Sequence, residues 1–448
     1  MHETAALPPE RVRAVCSSPV LVRATMTAYS NLRPLSGSRH LLPLSATDQV
    51  RSQILTSFDE ALRRVVALAQ PLGVETVPFA EAEGRVLSAP LMARSSMPPW
   101  DVSAMDGYAV RDEDLTALPA VLPVAGEAAA GDEPRSELPQ GTAFRILTGA
   151  PVPHGATRVV IQENVCRRGN HIEIKTPVGL RRNIRARASD FENGDVLAPA
   201  GQTMGWRVMT TAAAADRGEV EVFRRPRIVI LATGDELASP GQAHCRPGAI
   251  PESISYGIAA FARTHGCEIM RAQHIPDDLG QLARSAEKAV RDADLVIVIG
   301  GASVGDRDFS RRILGETPDY VFSGAAIKPG KPVWLARRSD KLILGLPGNP
   351  TSALVTARLF LAPLLAGLGG RNADDATVFR TWRLGGELSA SGDRESFVLA
   401  RACAEAAIPL DDQSSAGQRA LAGADLLIRL PPHSRAFAPG DEVQALCF

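Results

Sequence analysis

Asp294-Leu295-Val296-Ile297-Val298-Ile299-Gly300-Gly301-Ala302-Ser303-Val304-Gly305-Asp306-Arg307-Asp308 is the stretch on which the fold turns. Its five apolar residues, Leu295 to Ile299, are mostly β-branched and show no polar alternation. That pattern reads as a strand covered on both faces, as in a parallel sheet. Gly300 and Gly301 stop the strand, and Ser303 and Gly305 then offer a hydroxyl and close backbone approach to an anion. Asp306 and Asp308 beside such a loop suggest a bridging divalent cation. The plainer alternative is a strand-to-helix turn with a capping Asp.

Outward from this stretch, a βαβ alternation extends over about 226–369: strand 227–232, helix 253–265, strand 267–272, helix 279–291 and strand 295–299. It predicts a doubly wound parallel sheet. Asp235/Glu236, Asp277/Asp278 and Asp306/Asp308 then fall at strand ends or in adjoining loops, the edge where open α/β sheets bind ligands. Downstream, Ile327-Lys328-Pro329-Gly330-Lys331-Pro332 precedes an apolar segment. Leu344-Gly345-Leu346-Pro347-Gly348-Asn349-Pro350 opens a helix-like run from Thr351 to Leu365. Only five of the 49 cationic residues are lysines (175, 288, 328, 331 and 341), and two of them lie in this one KPGKP. A chain so biased to arginine that keeps lysine there suggests a need for a compact ammonium.

The remaining segments read as β-rich or connecting. A helix is expected at about 48–69, capped by Asp48 or Ser57. Residues 74–93 suggest a short strand and a short helix, and a helix-like segment begins near Met204. Short apolar stretches at 120–125, 143–147, 157–162 and 171–174 suggest a small β-rich domain. Strands at 378–384, 396–402, 425–430 and 442–447 suggest a C-terminal β-domain. Ser103, Asp106 and Tyr108 in an irregular Pro/Gly-rich loop are candidate ligand contacts, with an Asp-capped domain-crossing loop as the alternative; Thr148 sits at a strand end.

A 448-residue chain of net charge −1 should form several domains and carries no global electrostatic signature for nucleic acid or membrane. Six scattered cysteines without CxxC spacing fit reduced thiols rather than a zinc or disulfide framework. No run is expected to reach the roughly 18 apolar residues that span a bilayer. Residues 1–47, with five Arg, two acidic residues and repeated Pro and Ser, read as a disordered extension. The expectation is a cytoplasmic protein.

SAMDGYAV (103–110), RILTGAPVP (145–153), NIR (183–185), ATGDEL (232–237), GGASVGDRD (300–308), IKPGKP (327–332) and GLPGNP (345–350) occur in one order and spacing. Together they resemble the MoeA family, the molybdopterin molybdenumtransferases, and the E domain of gephyrin, over about 55–448. The resemblance implies a multi-domain α/β protein with a MogA-like doubly wound domain (48–74 with 223–370) and a linking domain (75–93 with 195–222). A β-rich lobe (94–194) and a C-terminal β-barrel-like domain (371–448) complete it. It implies a homodimer that inserts molybdate into adenylylated molybdopterin with release of AMP and with Mg²⁺ as cofactor. A MogA-like adenylyltransferase and molybdoenzyme acceptors would be further partners.

Carried over residue by residue, Asp106 and Thr148 would edge the site across the dimer, flanked by Arg185 and Asp190. Glu236, Asp277 and Asp308 would handle Mg²⁺ and the phosphoanhydride. Lys328 would contact the oxyanion, aided by Lys331, Ser352, Arg394 and Ser415. Gly300, Gly301, Ser303, Gly305, Pro347 and Pro350 would shape the substrate loops. Three departures stand out: Ala188-Ser189-Asp190 where the family has Gly-Glu-Asp, Glu252-Ser253-Ile254 where it has Asp-Ser/Thr-Asn, and Gly324 or Ala325 where a Lys is common. The alternative is a catalytically impaired paralogue that binds the pterin as carrier or scaffold. A generic nucleotide-binding α/β domain leaves the joint motif set unexplained.

Overall fold

The computed structural model describes residues 55–134, 137–300 and 319–448. Its central sheet runs Glu268–Ile275, Arg227–Thr233, Leu295–Ile299, Lys341–Leu346, Trp334–Arg338, Asp319–Phe322. The first four strands are parallel, and the last two turn antiparallel at one edge. All five residues of Leu295–Ile299 are buried. Ile228, Ile230, Leu295, Ile297 and Ile299 face one core, whereas Val229, Leu231, Val296 and Val298 face the other. A strand covered on both sides needs no polar alternation, which is why the apolar run identifies it.

Helix Leu279–Asp292 covers the second face through Leu282, Ala286 and Ala289. Asp278 caps it, accepting the Gln281 N–H at 2.6 Å. The first face receives helix Ile254–Thr264, helix Phe58–Leu68 and the run that begins at Pro350. Ser57 caps the Phe58 helix, with its hydroxyl 3.3 Å from the Glu60 nitrogen, while Asp48 lies outside the described residues.

Three helical pieces, Pro350–Thr356, Ala357–Leu361 with wider π-type turns, and Ala362–Leu368, form one run of 19 residues. The run is longer and more apolar (mean hydropathy 1.6) than the sequence suggested, and it meets the length and composition of a membrane span. It is nevertheless 89% buried inside the protein, so its apolar surface serves the core.

Toward the N-terminus, Val74–Pro78 pairs with Glu219–Phe223 and Leu91–Met92 with Val196–Ala198, enclosing Leu87, Met204 and Val222. A six-stranded sheet follows from Arg158–Ile161 through Gly107–Val110, Ala143–Ile146, Ala120–Ala128 and His171–Ile174 to Cys166–Arg168. In the C-terminal region Arg380–Leu384, Glu442–Cys447, Leu426–Leu430, Glu395–Cys403 and Ala406–Pro409 close on themselves as a five-stranded barrel. Closure removes the sheet edges. One short strand, Ile327–Lys328, adds to the outside of that barrel against Glu395 and Ser396.

Arg429 ties the barrel to the first helix. It lies 4.9 Å from the Phe58 ring and 5.3 Å from Phe379, and it pairs with Asp59 and Glu395. The Phe58 ring also packs on Phe397 at 5.0 Å. Cation–π contact and ring packing of this kind hold two surfaces in one register.

Candidate active site

Four loops leave the same end of the parallel sheet. Thr233 stands opposite Ile275, Ala232 opposite Ile299, and Ile299 opposite Leu346. Gly300 adopts φ +88°, and a Cβ there would lie 2.7 Å from the Thr233 carbonyl oxygen. Only glycine allows that approach. Gly348, between Pro347 and Pro350, comes within contact of Gly300 in turn.

The Glu236 carboxylate folds back over Gly234, whose φ is +147°. Asp235 accepts the Asp277 N–H at 3.0 Å and so joins two of the acidic loops. Sequence reading missed two further supports. His274 Nε2 lies 2.7 Å from the Gly234 carbonyl, and Arg246 donates to the carbonyls of Asp235 and Leu237. A histidine within a strand and an arginine in a loop give no local signal of such roles.

Glu236 and Asp277 therefore arise from neighbouring loops at one edge. Asp308 lies outside the described residues, as do Gly301, Ser303 and Gly305. Among the described residues no three acidic, histidine or cysteine side chains form a metal-sized cluster. The two carboxylates offer hard oxygen donors, the type Mg²⁺ takes.

A cleft of about 1120 Å³ opens between the KPGKP loop and the barrel, and it gathers Lys328, Lys331, Ser352, Arg394 and Ser415. Five residues spread over 88 positions thus share one wall. The strand pairing of Ile327–Lys328 with the barrel puts Lys328 there, and Arg394 donates to the Ile327 carbonyl at 3.3 Å. Gly330 has φ +107°, with a Cβ position 2.3 Å from Thr356 Cγ2, so the loop is pressed onto the helix that carries Ser352.

The Ser415 carbonyl accepts the N–H groups of Thr351 and Ser352 at 3.1 and 3.3 Å, while the Asn349 amide donates to its hydroxyl at 3.3 Å. The helix start is capped by protein, and anion binding here falls to side chains. Ammonium, guanidinium and hydroxyl groups around one space suit a tetrahedral dianion.

Asp106, Thr148, Arg185 and Asp190 belong to the β-rich lobe, and none lines that cleft. Asp106 and Thr148 do meet: the Thr148 hydroxyl and N–H both donate to Asp106 Oδ1 at 2.7 Å. The hydroxyl bond chiefly, then the N–H bond and the Arg145 charge, hold the Asp106 carboxyl below its ordinary range. Strand Ile184–Arg185 pairs with Val102–Ser103, and the Asp190 N–H donates to the Met97 carbonyl at 3.0 Å, so NIR and its sequel pack beside the Asp106 loop.

Residues 56–215 match the MoeA N-terminal region (domains I and II), and residues 229–367 match a probable molybdopterin binding domain. The chain is 36% identical to the molybdopterin molybdenumtransferase of a Nostoc species, over 72% of this chain and 76% of that protein. It is also 36% identical to molybdopterin molybdenumtransferase 2 of Mycobacterium tuberculosis, over 69% of this chain and 79% of that one. A solved MoeA molybdopterin-biosynthesis protein of Pyrococcus horikoshii superposes with TM-score 0.76 at 29% identity, over 88% of this chain and 99% of that one. The chain belongs to the MoeA family of molybdopterin molybdenumtransferases.

Proposed function

We propose that the chain is a molybdopterin molybdenumtransferase of molybdenum cofactor biosynthesis. It takes molybdate and adenylylated molybdopterin as substrates, releases AMP, and works as a cytoplasmic homodimer. The observation that carries this reading is the meeting of Lys328, Lys331, Ser352, Arg394 and Ser415 in one cleft. Lys328 and Arg394 would hold the molybdate oxygens, while Ser352 and Ser415 donate or accept as the dianion requires.

Glu236 and Asp277, with Asp308, would hold Mg²⁺, and the ion would neutralise charge on the phosphoanhydride oxygens. Asp235 would fix the Asp277 backbone so that this loop keeps its place. Asp106 and Thr148, absent from the cleft, would meet the partner protomer's substrate, which is the role the family resemblance implies for them. The cysteines Cys166, Cys245, Cys267 and Cys403 are free thiols, in keeping with a reducing compartment.

The experiment combines purified protein, adenylylated molybdopterin, Mg²⁺ and molybdate, and follows AMP release together with cofactor formation. Both products appearing in step and only with molybdate is the expected result. Nucleotide binding without either product would replace this reading by a carrier or scaffold role.

A further inference from the structure

Strands Arg227–Thr233 and Glu268–Ile275 begin at the sheet edge opposite the acidic loops. Two clefts of about 630 and 940 Å³ open there and share Thr203, Thr264, His265 and Arg371. Six arginines line the pair of clefts, against three acidic side chains, Glu83, Glu268 and Asp375. Arg85 is paired with Glu75, and Arg224 with Asp294. Arg225, Arg263, Arg358 and Arg371 have no ion pair among the described residues.

Arg358 and Arg371 are half-buried, and burial lowers the pKa of each. Their hydrogen bonds go to neutral carbonyls. Arg358 Nε donates to Cys447 at 2.6 Å and its Nη1 to Ala376 at 2.7 Å, while Arg371 Nη2 donates to His265 at 2.7 Å. Carbonyls thus take two of the five donors of one guanidinium and one of the other. A purely structural role as carbonyl cap explains those bonds but not the surplus charge. The His265 imidazole reports the same surplus: burial first, then the Arg371 and Arg358 charges, keep it below its ordinary pKa. Cations removed from water without a counter-charge are costly, and an anion supplied from solution relieves that cost.

We propose that this junction is a binding site for a phosphate-type dianion, centred on Arg371, the one arginine common to both clefts. Arg263 and Arg358 flank it, and the Thr203 hydroxyl supplies a neutral donor. It is separate from the Lys328 cleft, which shares none of these residues. The site does not depend on the transferase reading.

The full chain is titrated with inorganic phosphate, and separately with AMP, at constant ionic strength in chloride, by calorimetry and by melting temperature. The proteins compared are the wild type, Arg371→Gln, Arg263→Gln and Lys328→Ala. Phosphate should raise the melting temperature of wild type and of Lys328→Ala. Its affinity should fall about tenfold or more in Arg371→Gln, as loss of a charge-assisted contact implies, and measurably in Arg263→Gln. Because Arg263 is exposed, its variant keeps the test valid if Arg371→Gln does not fold. AMP binding with the same arginine dependence assigns the site to a nucleotide phosphate; phosphate binding alone assigns it to the free anion. Unchanged phosphate affinity in both arginine variants, or its complete loss in Lys328→Ala, overturns the proposal.

Discussion

Asp294 gives the sharpest test of how the α/β unit is held together. It stands just before strand Leu295–Ile299 and is 4% exposed. Its carboxylate accepts Arg224 Nη1 and Nη2 at 3.1 and 3.2 Å, and the Arg227 N–H at 2.9 Å. Arg227 Nε and Nη2 follow at 3.3 Å each, and Lys341 Nζ lies at 3.8 Å.

Burial alone would raise the carboxyl pKa, but the Arg224 and Arg227 hydrogen bonds outweigh it and bring the group to about 2. Against an unfolded value of ~3.9, the shift is worth roughly 2.6 kcal/mol, at about 1.36 kcal/mol per unit. Because the Arg224 and Arg227 side chains are 32% and 38% exposed, solvent screens part of this. About 2 kcal/mol is the working figure. The folded pKa is depressed, so the contribution is complete above pH ~4 and is lost as pH falls through ~2.

The perturbation is Asp294→Asn, which keeps the shape and removes the charge. Urea unfolding of both proteins, followed by far-UV circular dichroism, should show the variant less stable by about 2 kcal/mol at pH 7. The gap should hold at pH 5 and shrink to about half at pH 3, where the wild-type carboxyl is being protonated in the unfolded chain. A gap below roughly 0.5 kcal/mol at pH 7, or one that stays constant down to pH 3, would refute the reasoning.

Four other outcomes are expected. Lys328→Ala should abolish AMP release and cofactor formation, and Lys328→Arg should not restore them, since a fork replaces a point charge; full activity in Lys328→Ala sinks the assignment. Gly330→Ala puts a methyl 2.3 Å from Thr356 Cγ2 at φ +107° and should cost about 1–3 kcal/mol in denaturant unfolding; an unchanged midpoint counts against the close packing. Ala188 has φ +57°, so Ala188→Gly should stabilise by about 1 kcal/mol, and a lower melting temperature would contradict that. Thr148→Val removes the hydroxyl bond to Asp106 and should raise the Asp106 carboxyl pKa in a carbon-13 NMR titration; no upward movement would mean that bond is unimportant.

The inner parallel strands Arg227–Thr233 and Leu295–Ile299 were legible because they are buried on both faces, and a run such as Leu295–Ile299 has few other readings. The antiparallel edge was not, since an apolar period carries no strand direction: Trp334–Arg338 runs against both of its neighbours, Lys341–Leu346 and Asp319–Phe322, and only the pairing shows it. In the C-terminal region four strands were visible. The fifth, Ala406–Pro409, is four residues with two alanines and a proline, and it exists because it closes the barrel. In the candidate site the glycine-rich and acidic loops announced themselves at strand ends. Arg394 and Ser415 were accessible only through resemblance, because nothing near either residue signals a partner some 65 or more positions away.

The three departures from the family pattern can be weighed by what each replacement touches. Ile254 is buried in the core at the start of its helix. Glu252 there accepts the Ser255 N–H at 2.9 Å, so capping has moved to a neighbouring side chain. Gly324 lies against Leu55, with a Cβ position 2.9 Å from Leu55 Cδ2, and Ala325 is fully buried. Both positions are buried, a side chain at Gly324 would have to displace Leu55, and none of these residues lines the Lys328 cleft. Ala188 places a methyl in a left-handed turn, a cost in stability that leaves Asp190 in place. Restoring a lysine at Gly324 should therefore lower stability through the clash with Leu55 and leave molybdate affinity no better. A gain in affinity would show instead that the cleft lacks a cation, and would favour the impaired carrier over the transferase.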